Sequence, residues 1–188
     1  MTIRNRLKLI GLVPITLLIL LSSYFFVTSY LNFEKVHTLQ TILKNNAKIS
    51  DALNNTGTER GITAMYLGSD QKEFLDTLKK QYKNTDKSYQ QLRTQLIMEN
   101  KAYVPFLIDL LAKNSKIDTN KYQQMLRNIS QINKIRKEAQ TPGADFKKVF
   151  FDRYTKQLAT PMLDNLLQTN NFAINTEIAS LISTLDQL

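Results

Sequence analysis

The 188-residue chain has no cysteine, which excludes disulfides, thiolate zinc sites and a cysteine nucleophile. Its single histidine, His37, has no His or Cys companion with which to hold a metal. It reads as a solvated residue just past an apolar segment. Five glycines and four prolines leave long stretches rich in Leu, Lys, Gln and Ala with little punctuation, a composition tilted toward helix. No sustained polar–apolar alternation and no hairpin dipeptide between apolar runs marks a strand. A phosphate loop, a serine elbow and a paired-carboxylate motif are missing too. These residues therefore point to no enzyme chemistry, catalytic residue, metal site or cofactor. The formal net charge is +9, from 25 Lys and Arg against 16 Asp and Glu. The charges are scattered rather than gathered into a stripe or motif, which argues against nucleic acid as a partner.

What the chain does have is an uncharged run over residues 9–33, beginning LIGLVPITLLILLSSYFFV. That is long enough to span a hydrocarbon core as a helix. Arg4, Arg6 and Lys8 precede it and predict an N-terminus in the cytoplasm, while Tyr24, Phe25, Phe26 and Tyr30 suit the far interface. Pro14 is tolerable within such a span. A cleaved signal peptide would have a shorter apolar region and small residues at the cut; Thr28-Ser29-Tyr30 is a poor site. The expected organisation is a cytoplasmic N-terminus (1–8), a transmembrane anchor (9–33) in contact with membrane lipid, and an extracytoplasmic helical domain (34–188). In a Gram-negative cell that domain lies in the periplasm, with the anchor in the inner membrane.

Beyond the anchor the period is helical throughout. Leu39, Ile42, Ile49 and Leu53 share one face of a helix over residues 36–67. Gly68-Ser69-Asp70 reads as a stop and restart. Phe74, Leu78, Tyr82, Thr85, Tyr89, Leu92 and Leu96 alternate threes and fours over 71–100, the seam of an antiparallel bundle. A short helix over 105–113 is followed by one capped by Asp118 or Thr119, with Tyr122, Met125, Ile129 and Ile132 inward. Thr141-Pro142-Gly143 breaks the chain. Phe146, Val149, Phe150, Tyr154 and Leu158 line a fifth helix that Pro161 must kink or interrupt. A last stripe, Ile174, Ile178, Leu181, Leu185 and Leu188, runs to the final residue without a cap, so the domain is expected to be incomplete at its C-terminus. The expected fold is all-α: an N-terminal transmembrane helix followed by an antiparallel helical bundle.

One residue stands out for binding. Arg60 has Thr56 one turn before it and Thr63 nearly one turn after, which places both hydroxyls beside the guanidinium. Gly57, Gly61, Ala64 and Gly68 keep the neighbourhood thin enough for another backbone to approach. Glycine within a helix costs roughly 1 kcal/mol per residue, a cost more easily understood where packing or ligand access offsets it. Arginine's planar, permanently charged fork matches oxyanions. The plainer alternative is a surface Glu59–Arg60 pair on a tight helix crossing. Arg153, one residue before Tyr154, reads as a solvated edge residue. Tyr82, Tyr89 and Tyr103 read as core residues with wet tips.

The run Glu59-Arg60-Gly61-x-x-Ala64-x-Tyr66-Leu67-Gly68-Ser69 resembles the nitrate- and nitrite-sensing domain of bacterial receptors. Thr85-Asp86-Lys87-Ser88 and the helices over 126–137 and 150–167, around Tyr154, add to the likeness, which covers roughly residues 35–188. The resemblance implies an all-helical bundle of two related halves, each with a Glu-Arg motif whose arginine is implicated in nitrate or nitrite binding. Only the first motif maps here, onto Arg60. Thr56-Gly57-Thr58 departs from the bulkier polar residues usual in the family. Such domains feed chemotaxis receptors, sensor kinases or cyclic-dinucleotide enzymes. The expectation is therefore the sensory portion of a transmembrane receptor. It would bind a small anion through Arg60, with Thr56 or Thr63 assisting, and pair with a second copy as a homodimer. The alternatives are a ligand-free dimerisation or partner-interaction module with a structural Arg60, and the same scaffold sensing a different small molecule.

Overall fold

The computed structural model describes residues 3–99 and 119–185. Its elements are α1 (Ile3–Gly68), α2 (Leu75–Glu99), α3 (Thr119–Ile129), α4 (Ile132–Gln140), a π-helix (Lys148–Ala159) and α5 (Thr160–Leu185). No strand occurs among the described residues, and the architecture is an all-α helical bundle with an apolar N-terminal helix. The expected helix over 105–113, Tyr103, and Asp118 as a cap lie outside the described residues.

The chain divides into two compact units, Met1–Thr41 and Ile42–Leu188. In the first, Gly11–Phe33 is long and apolar enough to cross a membrane, and its apolar window is wholly unburied. Its two threonine hydroxyls turn back on the helix: Thr16 donates to the Leu12 and Val13 carbonyls, and Thr28 to that of Tyr24. Polar groups satisfied within their own helix suit an apolar solvent.

In the second unit, α1 presents Ile42, Ile49, Ala52, Thr56, Glu59, Thr63 and Tyr66 inward, all buried. Threes, fours and sevens separate them, so they form one stripe. Leu53 packs at its edge. On α2 the buried set is Leu78, Gln81, Thr85, Ser88, Tyr89, Leu92 and Leu96, which contains most of the expected seam. Tyr82 is half-buried. Phe74 is the exception: it is 41% exposed and precedes the helix at φ 66°. Tyr122, Met125, Ile129, Ile132, Ile135 and Ala139 carry a single buried stripe through α3 and α4, across a break at Ser130–Gln131.

Gly68 ends the helix as expected, and the left-handed residues of the turn come after it: Asp70 and Gln71 take the positive φ values, 54° and 63°. The position is anchored from outside. The Gln71 side-chain amide donates to the Ala139 and Thr141 carbonyls at 2.9 and 2.8 Å, which offsets the steric cost a side chain meets there.

Pro161 interrupts the last stretch as a change of register rather than a break. The backbone N–H of Thr160 bonds to Thr155, five residues back, and the threonine hydroxyls reinforce that spacing. Thr155 Oγ1 donates to the Phe150 carbonyl at 2.8 Å, and Thr160 Oγ1 to the Thr155 carbonyl at 3.1 Å. The i→i+5 ladder is rare and tends to occur at functional sites. Pro161 then falls in the first turn of α5, where a missing N–H costs least. Val149, Tyr154 and Leu158 of the π-helix are fully buried; Phe146 is exposed. Further along, Ile174 is exposed, and the side chains of Ile178, Leu181, Leu185 and Leu188 lie outside those described.

Leu92 is fully buried in the apolar cluster. Leu92→Ala is expected to cost about 2–5 kcal/mol, read as a lowered urea midpoint at unchanged m-value; a loss within error of zero contradicts this core assignment.

Candidate functional site

Two neighbouring residues of α1 meet two neighbouring residues of the π-helix, and they do so in opposite ways. Glu59 is 0% exposed and turns into the bundle. Its carboxylate takes a two-pronged contact from Arg136 of α4, Nε to Oε1 at 2.9 Å and Nη2 to Oε2 at 2.8 Å. Tyr154 donates its hydroxyl to the same Oε1 at 2.8 Å. Arg136, 6% exposed, also donates through Nη1 to Asp86 at 2.7 Å and Asn133 at 3.2 Å, and through Nη2 to the Tyr82 carbonyl at 3.2 Å. Its guanidinium lies 4.2 Å from the centre of the Tyr82 ring. A guanidinium has five N–H donors, and here every one has an acceptor. Burial alone would lower the Arg136 pKa, but the hydrogen bonds and charges of Glu59 and Asp86 outweigh it and raise the value.

Thr56 and Thr63 lie on the same buried stripe as Glu59. Thr56 donates to the Ala52 carbonyl at 2.7 Å, so the Tyr89 hydroxyl, also 2.7 Å away, donates to it. Thr63 donates to the Glu59 carbonyl at 2.8 Å and lies 3.4 Å from the Tyr154 hydroxyl. Both hydroxyls are thus engaged within the bundle. Burial first, then the Glu59 charge, raises the Tyr154 and Tyr89 pKa values above the ordinary 10.0, with Thr63 and Thr56 pulling the other way.

Arg60 is half-buried and points instead to an open groove of about 460 Å³ lined by Leu53, Asn54, Gly57, Thr58, Arg60 and Ala159. Nη1 donates to Thr155 Oγ1 at 3.1 Å. The guanidinium sits 4.7 Å from the centre of the Phe150 ring, a stacking that favours a cation. Nε is buried with no hydrogen-bond partner. Among the described residues no carboxylate lies within ion-pair distance of Arg60, whereas Arg136, Lys148, Arg153 and Lys156 each face one. Arg153 is therefore tied to Glu138, at 2.9 Å.

The glycines act differently from the close helix crossing expected of them. A Cβ added at Gly57, Gly61 or Gly68 would meet nothing within 4 Å. Gly57 lines the groove, so its missing side chain leaves space there rather than admitting another backbone.

Arg136 was not singled out by its sequence, although the signal is present: Ile132, Ile135 and Ala139 surround it on the apolar wheel. Thr155 had no such signal. In an α-helix it would turn away from Phe150, and only the i→i+5 ladder aligns the two toward Arg60. Among the described residues no group of three His, Cys, Asp or Glu side chains is placed to hold a metal ion.

The described residues thus form an all-helical bundle with a Glu-Arg pair, one member sealed inside it and the other beside an open groove. Residues 51–188 match the NIT family, described as nitrate and nitrite sensing, and the chain belongs to it. No curated protein and no solved structure matches the chain.

Removing one partner of a buried ion pair costs about 3–5 kcal/mol. Arg136→Met is expected to show that loss in chemical unfolding, and Glu59→Leu added to it to recover part; a strictly additive double variant argues against coupling. The raised phenol pKa values also set a pH dependence. Unfolded tyrosines ionise at about pH 10, while Tyr154 and Tyr89 stay protonated in the fold. Their contribution is complete below that pH and falls as pH rises above it. Tyr154→Phe should flatten the alkaline limb of a plot of Tm against pH; an equally steep limb contradicts the assignment.

Proposed function

We propose that this chain is the ligand-sensing portion of a membrane-anchored bacterial receptor, and that a small oxyanion, nitrate first or nitrite, binds at Arg60. The observation that carries this reading is the contrast between Arg136, whose donors are all occupied, and Arg60, which has an unpartnered Nε and no carboxylate beside an open groove. A charged group with vacant donors, partly desolvated and set over an aromatic face, favours an anion that accepts two hydrogen bonds at once. Thr56 and Thr63 serve the site indirectly in this reading. Thr56 accepts from Tyr89, and Thr63 sits beside the Tyr154 hydroxyl that bonds Glu59, so both lie on the face of α1 next to Arg60.

The topology we propose puts residues 1–8 in the cytoplasm, 9–33 in the inner membrane and 34–188 outside the cytoplasm. Arg4, Arg6 and Lys8 ahead of the apolar run support it. Anion binding acts by preferring one packing of the bundle over another, since a ligand shifts an equilibrium only by its differential affinity. The segment bearing Arg60 leads back in sequence to the anchor, which gives the shift a route to the membrane.

The test is calorimetric titration of nitrate and of nitrite into the detergent-solubilised chain. Arg60→Ala is expected to weaken binding about tenfold or more. Absence of heat with the wild-type chain, or equal binding by the variant, refutes the proposal.

A second reading, a helical interaction module that forms a homodimer, draws on Leu163, Leu167 and Ile174. They are exposed at four- and seven-residue spacings along α5. It is favoured if Arg60→Ala lowers Tm without any anion and nitrate leaves the wild-type Tm unchanged.

A further inference from the structure

Gly57 lies inside α1, where glycine is the least favourable residue short of proline. A helix needs a glycine for one of three physical reasons: a positive φ, a neighbour too close for a Cβ, or use of the vacant space itself. The first does not apply, because Gly143 is the one glycine among the described residues with a positive φ. Nor does the second: a Cβ added at Gly57 would meet nothing within 4 Å. What Gly57 has is a place in the wall of the groove of about 460 Å³ that Arg60 also lines.

Helical geometry ties that space to Arg60. Residues three apart are neighbours on one face, and helical side chains lean toward the N-terminus. The Arg60 side chain therefore lies over the turn that contains Gly57. On the other flank the π-helix supplies Phe150, 4.7 Å from the guanidinium carbon, and Thr155, which accepts from Nη1. Its one residue in the groove wall, Ala159, carries only a methyl. The groove thus has its smallest side chains on both of the helices that border Arg60.

We infer that Gly57 determines access to Arg60: the space over its Cα admits the anion, and a side chain there closes the groove in proportion to its size. The inference rests on the proposed anion reading and names what sets admission to that site. It also sets the fold and the site in opposition at one position. A larger residue at 57 suits the helix better and the ligand worse. Gly61 provides the comparison within the same helix. An added Cβ there also meets nothing within 4 Å, yet Gly61 does not line the groove.

The experiment combines nitrate calorimetry with anion-free thermal melts on the full detergent-solubilised chain and on Gly57→Ala, Gly57→Leu and Gly61→Leu. All three variants are expected to raise Tm by about 2–4 °C, the scale of replacing one helical glycine in a chain of this size. Gly57→Leu is expected to bind nitrate about tenfold more weakly or worse, as when a hydrogen bond to a charged group is lost. Gly57→Ala is expected to show a smaller loss in the same direction, and it keeps the readout if the leucine variant does not fold. Gly61→Leu is expected to match wild type in binding. Wild-type affinity in the folded Gly57 variants, or an equal weakening in Gly61→Leu, overturns the access role and leaves the Arg60 site standing. A Tm lowered by Gly57→Ala overturns it too, since the glycine then serves the fold. Absence of nitrate binding by the wild-type chain overturns both readings.

Discussion

The buried pair of Glu59 and Arg136 is the constraint from which the rest of the bundle takes its alignment. A carboxylate taken wholly out of water costs several kcal/mol unless its oxygens are bonded. Here that requirement draws together four elements: α1 supplies Glu59, α4 Arg136, α2 Asp86 and the Tyr82 carbonyl, and the π-helix Tyr154. Apolar packing alone permits many rotations of a helix about its axis, because one methyl replaces another at little cost. A forked contact with a ring of further hydrogen bonds permits few. The pair therefore fixes the rotation of α1, and with it the direction in which the next residue points.

That next residue is Arg60. Consecutive helical positions differ by about 100°, so a Glu aimed at the core leaves the following Arg at the boundary between core and solvent. The Glu-Arg dipeptide works as a unit: its acid is consumed by structure, and its base is thereby presented half-buried. The polar stripe around it follows the same division. Thr56 accepts from the buried Tyr89 hydroxyl and Thr63 donates to the Glu59 carbonyl, both on the interior face of α1, while the groove face keeps an unspent donor on Arg60.

Much of the architecture could be read from the sequence, because period and punctuation are local signals. The apolar stripes on α2, α3 and α4 lie where the spacing puts them, down to Leu92, Met125 and Ile129. The apolar N-terminal run forms a helix of membrane-spanning length. Arg60 could be singled out from its small neighbours. Three things escaped. Phe74 has the right spacing, but it falls in the turn, whose left-handed residues are held by Gln71 reaching across to Ala139 and Thr141. Arg136 sits amid isoleucines, yet its burial depends on an acid 77 positions away in the chain. Thr155 depends on a ladder that side-chain periodicity of 3.6 does not describe. Each miss comes from a contact distant in sequence or a rare backbone register, and propensity records neither.

The π-helix has a consequence for how this chain tolerates changes of length. Every hydrogen-bonded ring in Lys148–Ala159 encloses one residue more than an α ladder would, so the stretch holds surplus backbone. Removing a residue there can be taken up by closing a ring on the commoner ladder; adding one cannot, and turns whatever follows by about 100°. Asn165 and Thr169 of α5 would then leave the bundle interior, and Thr169 would lose the 2.6 Å bond it makes to Asn46 of α1. Point substitutions across this stretch alter one contact apiece. An insertion of one residue changes the phase of a whole helix.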